Sequence, residues 1–363
     1  MRPVLPDADA LLPYLRQIDN NGHYTNFGPL QNQLLTKLLN IQSVLESQPI
    51  YGALTSSATQ GLELVISCLN LPPGSQILVP ALTFVATATA VQRCGHIPVV
   101  GDVDPDNWML TPASIAQHPS LQEIKAVIPV ATFGMPQNAD AWSNWGQLHN
   151  IPVIIDAASS FGAQRSAPGV SVVFSLHATK VLSTGEGGLI VTRSSQLAEQ
   201  FKNLTNFGIG MTEPGIGTNA KLSEYHAAIG LAHLEIWPVQ IKKRKQLLTL
   251  YKEAIGQHLA DSLSLQEDTG LFAPSVFNIQ LKTAALRSQL EATFASVGIQ
   301  TRRWYQPLLQ HQPLLSNVIQ SAACPNAELL SQTLLGLPFF IGLTTKQIQQ
   351  VCEVIKPTLL DHY

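Results

Sequence analysis

The sequence lacks most of the features that mark whole classes of protein. Its four cysteines, Cys68, Cys94, Cys324 and Cys352, stand singly without CxxC spacing. That pattern argues against a disulfide framework or a zinc site and leaves reduced thiols as the expectation. No apolar run reaches the ~18 residues that span a bilayer. The opening MRPVLPDADALLPYLRQIDNNG interrupts its apolar residues with Pro and Asp before a signal-peptide core can form. A cytoplasmic protein with no membrane partner is expected. Neither sign of charge dominates, since 21 Lys and Arg stand against 24 Asp and Glu, and no nucleic-acid partner is expected. Walker-type loops, GxGxxG, heptads, internal repeats and low-complexity segments are also missing. Asp102, Asp104 and Asp106 carry part of a calcium-loop spacing but lack its Gly and terminal Glu. They are read as turn residues, and no metal is expected.

What is present is apolar pattern. Hydrophobic residues make up 45% of 363, with a mean hydropathy of only +0.13, enough for two domains and a substantial core. Short apolar runs at 51–55, 76–79, 96–103, 125–130, 151–155 and 170–174 alternate with helical patterns. Such alternation predicts an α/β domain with a mostly parallel sheet covered on both faces. A helical pattern over 223–251, perturbed by Pro238, leads to a smaller α+β domain. There, strands are expected at 276–281 and near 299–304, and an amphipathic last helix over 345–355. The expected division is an N-terminal arm (1–28), a large domain (29–237) and a small domain (238–363).

Chemistry concentrates in residues 151–190, IPVIIDAASSFGAQRSAPGVSVVFSLHATKVLSTGEGGLI. Asp156 ends a predicted buried strand, where open α/β sheets place ligands in the crevice beyond the strand ends. Lys180 follows another such strand and precedes the turn 183–188. Partial desolvation there lowers an amine's pKa and frees its lone pair for imine formation. Pyridoxal phosphate (PLP) needs this pair, a lysine for the imine and an acid that keeps its ring nitrogen protonated.

Other residues admit two readings. Ser57, Ala58 and Thr59 open a helix, which suits either a phosphate or a plain N-cap. Phe84, at a strand-to-helix corner, suits core packing or stacking. Tyr24, Asn26 and Gly28 form a loop that reaches a ligand or merely a turn before the helix from Leu30. Arg302 and Arg303 offer forks for carboxylate or diphosphate, and Trp304 and Tyr305 offer stacking faces. The alternative for that stretch is a basic edge strand with a core tryptophan.

IIDAASSFGA, FSLHATK and TGEGG resemble the DegT/DnrJ/EryC1/StrS family of PLP-dependent sugar aminotransferases, with matching segments in the same order along nearly the whole chain. The resemblance implies the aspartate aminotransferase-like type I fold, with PLP held by Lys180 and Asp156. It implies that Ser57, Ala58, Thr59 and Ser175 hold the phosphate and that Phe84 stacks on the ring. Ser159 departs from the family, which has Gln or His there to bond the ring oxygen; serine is too short, so a water or Ser160 would substitute. Asn219, with Lys221, stands where the family's asparagine crosses a homodimer interface to the neighbour's phosphate. Tyr24 and Asn26 fall near the sugar nucleotide, and TRRWYQPLL lines the substrate entrance, although Leu309 replaces a histidine. His177 is read as structural, because lysine itself can carry the proton. FSLHATKVLSTGEGG is closest to the branch that aminates carbon 4 of nucleotide-linked sugars. The expected reaction is dTDP-4-keto-6-deoxyglucose to dTDP-4-amino-4,6-dideoxyglucose, with L-glutamate as donor, for surface polysaccharide. The rivals are a 3-keto sugar or aminocyclitol aminotransferase and, outside enzymes, a catalytically idle ligand sensor.

Overall fold

The computed structural model describes residues 2–210, 217–259, 262–267, 273–315, 319–320 and 323–360. Two helices come first, α1 (Ala8–Asn21) and α2 (Pro29–Ser43). Alternation follows through β1 (Tyr51–Thr55), α3 (Ala58–Cys68), β2 (Gln76–Pro80), α4 (Val85–Arg93) and β3 (Ile97–Gly101). It continues with β4 (Ile124–Val127), α5 (Ala139–His149), β5 (Val153–Asp156), β6 (Val170–Ser175), β7 (Gly188–Thr192) and α6 (Ser195–Leu204). The long α7 (Glu224–Leu259) leads to β8 (Leu263–Leu265), β9 (Phe277–Leu281), α8 (Ala284–Ser296) and β10 (Ile319–Gln320). The described chain closes with α9 (Pro325–Thr333), β11 (Leu334–Leu337) and α10 (Thr345–Leu360).

Eight strands form one sheet in the order β1-β7-β6-β5-β4-β2-β3-β10, with β7 antiparallel to both neighbours and the other pairs parallel. The apolar runs are continuous because both faces are covered. Leu78, Val99, Val153, Ile155, Val172 and Phe174 pack with α1, α2, α5 and α7. Their neighbours Ile77, Val79, Val100, Ile154 and Val173 pack with α3, α4 and α6. A third core joins the sheet β11-β9-β8 to α8, α10 and the far end of α7, through Tyr251, Phe277, Phe294 and Ile355.

Residues 1–28, expected as an arm, contain α1: Asp7 caps it by accepting from the Ala10 N–H at 3.0 Å, and Tyr14 and Ile18 bury in the first core. No strand forms at 299–304. Arg302 makes only an isolated bridge to Gly336, beyond which the Trp304 indole lies so close that a Cβ on Gly336 would meet it at 2.6 Å. Asp102 is more than a turn residue, because its carboxylate accepts from Asn326 N and Ala327 N at 3.1 and 2.8 Å and so caps α9. Asp104 does close a turn, accepting from the N–H groups of Asp106 and Asn107. The division at 237/238 lies within α7, which continues through Pro238.

Gly188 at the start of β7 is required by close approach, since a Cβ there would lie 2.4 Å from Thr55 Oγ1 and 2.7 Å from the Ser57 backbone. Overpacking of this kind costs about 1–3 kcal/mol. Substitution G188A should therefore lower the midpoint of thermal or denaturant unfolding, and an unchanged midpoint would contradict the close contact.

Candidate active site

The site starts from strand parity. Ile154 and Val173 face α3 and α4, so Asp156 and Ser175, two residues further along each strand, point the same way. The segment after β6 then folds back on itself: Leu176 N donates to Gly187 O, Ala178 N to Gly185 O and Thr184 N to Leu176 O, at 2.8–2.9 Å. Gly185 supplies the left-handed backbone of this reversal at φ +82°. Lys180 sits inside the fold-back, and its side chain returns toward Asp156.

The result is a cavity of about 360 Å³. Ser57, Ala58 and Thr59 line it at the start of α3, and Phe84 at the start of α4. Asp156, Ser159, Ser175 and Lys180 line it from the sheet side, and Trp304 and Tyr305 from the C-terminal segment. Ser57 meets both of its readings, because it faces the cavity and its Oγ also caps α3 by accepting from Gln60 N at 3.1 Å. Phe84 does not pack in the core; it is 59% exposed, an apolar face left open at the cavity. A flat ring with an acid-binding edge and an anionic group fits this arrangement, with carboxylate, amine, helix start and open aromatic face around one space.

Asp156 is 5% exposed. Its Oδ2 accepts from Thr87 Oγ1 at 2.8 Å and its Oδ1 from Ala158 N at 3.1 Å. Burial pushes its pKa up, while those two bonds and the Lys180 charge oppose the shift. Burial pushes the Lys180 amine down, against the pull of Asp156. The Lys180 Nζ donates to Ser159 Oγ at 2.9 Å. Burial and the Asp156 charge raise the Tyr305 phenol above its ordinary value. His177 accepts or donates at Thr179 Oγ1 (2.9 Å) and lies 3.6 Å from Glu186 at the cavity wall.

Six sequence-predicted residues lie outside this cavity. Tyr24 stacks on Tyr225 with centroids 6.3 Å apart, and its carbonyl accepts from Glu224 N. Asn26 has φ +61° in the turn before α2. That turn is held by the buried Glu224 carboxylate, which accepts from Leu30 N and Gln31 N at 2.9 and 2.7 Å. Asn219 bridges Asn206, and Lys221 donates to Asn206 Oδ1 at 2.9 Å beneath the Phe207 ring. Residues 211–216 of the expected 206–224 loop lie outside the described residues. Arg302 lies 5.9 Å from the Trp304 ring, and Arg303 pairs with Glu291 of α8.

Thr87 and Phe133 are among the cavity residues that escaped the sequence. Thr87 lies three residues after Phe84, on the same helix face, and that spacing was the available signal. Phe133 stacks on Tyr305 with centroids 5.4 Å apart at 9°, and no local pattern announced it. Among the described residues no group of three or more His, Cys, Asp or Glu is placed to hold a metal, and no helix is long and apolar enough to cross a membrane.

Comparison with known proteins points to one family. A dTDP-4-amino-4,6-dideoxy-D-glucose transaminase from Shigella dysenteriae is 29% identical, over 98% of this chain and 97% of its own. A UDP-N-acetyl-3-dehydro-alpha-D-glucosamine 3-aminotransferase from Acidithiobacillus ferrooxidans is 30% identical, over 92% and 96%. Among solved structures, a Bacillus cereus protein assigned as a PLP-dependent aminotransferase superposes with a TM-score of 0.90 at 25% identity, covering 98% of each chain. The model of the DegT/DnrJ/EryC1/StrS aminotransferase family matches residues 7–356. With its α/β type I fold, the chain belongs to that family and is a PLP-dependent aminotransferase.

Proposed function

We propose that this enzyme moves the amino group of L-glutamate to carbon 4 of dTDP-4-keto-6-deoxyglucose, giving dTDP-4-amino-4,6-dideoxyglucose for surface polysaccharide. The carrying observation is that the Lys180 amine and the Asp156 carboxylate line one cavity, faced by the open ring of Phe84. Bound PLP supplies an electron sink for the negative charge left when the amino donor loses its α-proton. Lys180 holds the cofactor between turnovers, and its Nζ takes that α-proton and passes it on within the cavity. Asp156 keeps a negative charge against the ring nitrogen, its two oxygens steadied by Thr87 and the Ala158 N–H. Ser57, Ala58, Thr59 and Ser175 receive the phosphate, and Phe84 covers one ring face.

Trp304 and Tyr305 form the sugar-nucleotide wall, and Arg302, beside Trp304, meets the diphosphate. Arg303 is already engaged by Glu291. Asn219 and Lys221 lie outside their own chain's cavity, with the Lys221 amine against the exposed Phe207 ring. The exposed apolar side chains of Phe207, Ile209 and Tyr225 support a homodimer in which Asn219 and Lys221 reach the neighbour's site. The 29% identical relative named for a 4-amino sugar supports carbon 4. The 30% identical 3-aminotransferase supports the second reading, amination at carbon 3. Intact Lys180 and Asp156 argue against an idle sensor.

Substitution K180A should abolish turnover and the visible absorbance of bound cofactor; a yellow, active variant would sink the proposal. Because the Thr87 bond lowers the raised Asp156 pKa, T87V should raise it further. The acid limb of the rate profile should then move to higher pH, with T87S close to the parent enzyme. Incubation with 4-keto and 3-keto nucleotide sugars, read by NMR of the product, should place nitrogen on carbon 4. Nitrogen on carbon 3 alone would favour the second reading.

A further inference from the structure

We propose that Ser159 is the positioning residue for the reactive amine, its hydroxyl holding the Lys180 nitrogen over the cavity. This deepens the reading of Lys180 as the cofactor-bearing lysine and rests on it. The contact is direct, with Nζ donating to Oγ at 2.9 Å, and among the described residues it is the hydrogen bond that Nζ makes. Ser159 is itself held in place. It lies in the turn after β5 that also presents the Ala158 N–H to Asp156 at 3.1 Å, and Ser160 N closes that turn on Ala157 O at 2.9 Å. One turn therefore sets the acid and the oxygen that aims the amine. The neighbouring Ser160 is not a substitute. Its hydroxyl is buried, has no hydrogen-bond partner among the described residues, and does not line the cavity.

The length of the residue at 159 is what matters. The resemblance implies a Gln or His there, whose polar end would lie about two bonds deeper in the cavity and meet the ring. A serine oxygen stays near the wall, where the end of a four-carbon lysine stem arrives. That stem has several freely rotating bonds, so one fixed acceptor selects the rotamer that faces the cavity. A buried amine without an acceptor also leaves polar hydrogens unpaired, which is costly.

An acceptor stabilises the ammonium more than the neutral amine, so its removal has a signature that a packing defect lacks. Asp156 from β5, His177 and Glu186 from the fold-back and Tyr305 from the C-terminal segment are the titratable groups lining the same cavity, and none changes in the test. Full-length chain stripped of cofactor is mixed with PLP across a pH series and quenched with borohydride. The amine attacks the aldehyde carbon, water leaves, and hydride reduces the C=N bond, so the Lys180 peptide gains a stable mass. Variant S159A should lower the plateau rate of capture up to roughly tenfold, the scale of one neutral hydrogen bond, and move the midpoint to lower pH. S159T should restore both, and S159C, nearly isosteric and a weaker acceptor, should fall between. Rate and midpoint unchanged in S159A, or a lower plateau with a fixed midpoint that S159T does not restore, would overturn the proposal. K180A separates the two readings: capture at the parent rate on the peptide of a different lysine would overturn the assignment of Lys180 itself.

Discussion

A carboxylate and an amine are held together in a cavity that removes both from bulk water, and this pairing is what the rest of the structure serves. Asp156 is 5% exposed, so an unpaired negative charge there would be strongly disfavoured. Two hydrogen bonds to its oxygens and the nearby positive charge of Lys180 offset that cost. The same burial weakens the hold of Lys180 on its proton, while Asp156 restrains the effect. Each group is tuned by the other, and neither would behave this way on a solvated surface.

The fold produces that pairing by rules that operate far from it. A parallel sheet buried on both faces sends alternate residues to opposite cores. The parity that buries Ile154 and Val173 therefore delivers Asp156 and Ser175 to the side where α3 and α4 begin. α7 links the layers: Glu224 at its start caps α2, Leu231 packs in the first core, and Tyr251 lies in the third. The C-terminal segment is anchored by Asp102 on α9 and by the buried Leu308 and Leu309, so that Trp304 and Tyr305 close the cavity.

Much of this was legible in advance because it is local. Six strands of the large sheet were marked by apolar runs, and Asp156 and Lys180 by their positions relative to two of them. The helix start at Ser57 could be read as a cap or a phosphate site, and it serves as the cap while facing the cavity. Where the reading failed, distant chain decided. The strand expected at 299–304 gave way to Trp304 seated on Gly336, a residue more than thirty positions later. The arm before Gly28 carries a helix that no local reading marked, because α7 offers Tyr14 and Ile18 a surface to bury against. Asp102 looked like a turn residue until the backbone it caps, at 326 and 327, was in place.

By itself the sequence determined the alternation of strand and helix, the acid and the amine, and the glycines that let the segment after β6 double back, since these depend on periodicity and local sterics. Only the tertiary structure decided which oxygens those two groups meet. Thr87 reaches Asp156, Ser159 reaches Lys180, and Phe133 supports Tyr305 across 69, 21 and 172 positions of chain. Hydrogen bonds and ring stacking act over a few ångströms of space, and sequence separation carries no record of them until the layers have packed.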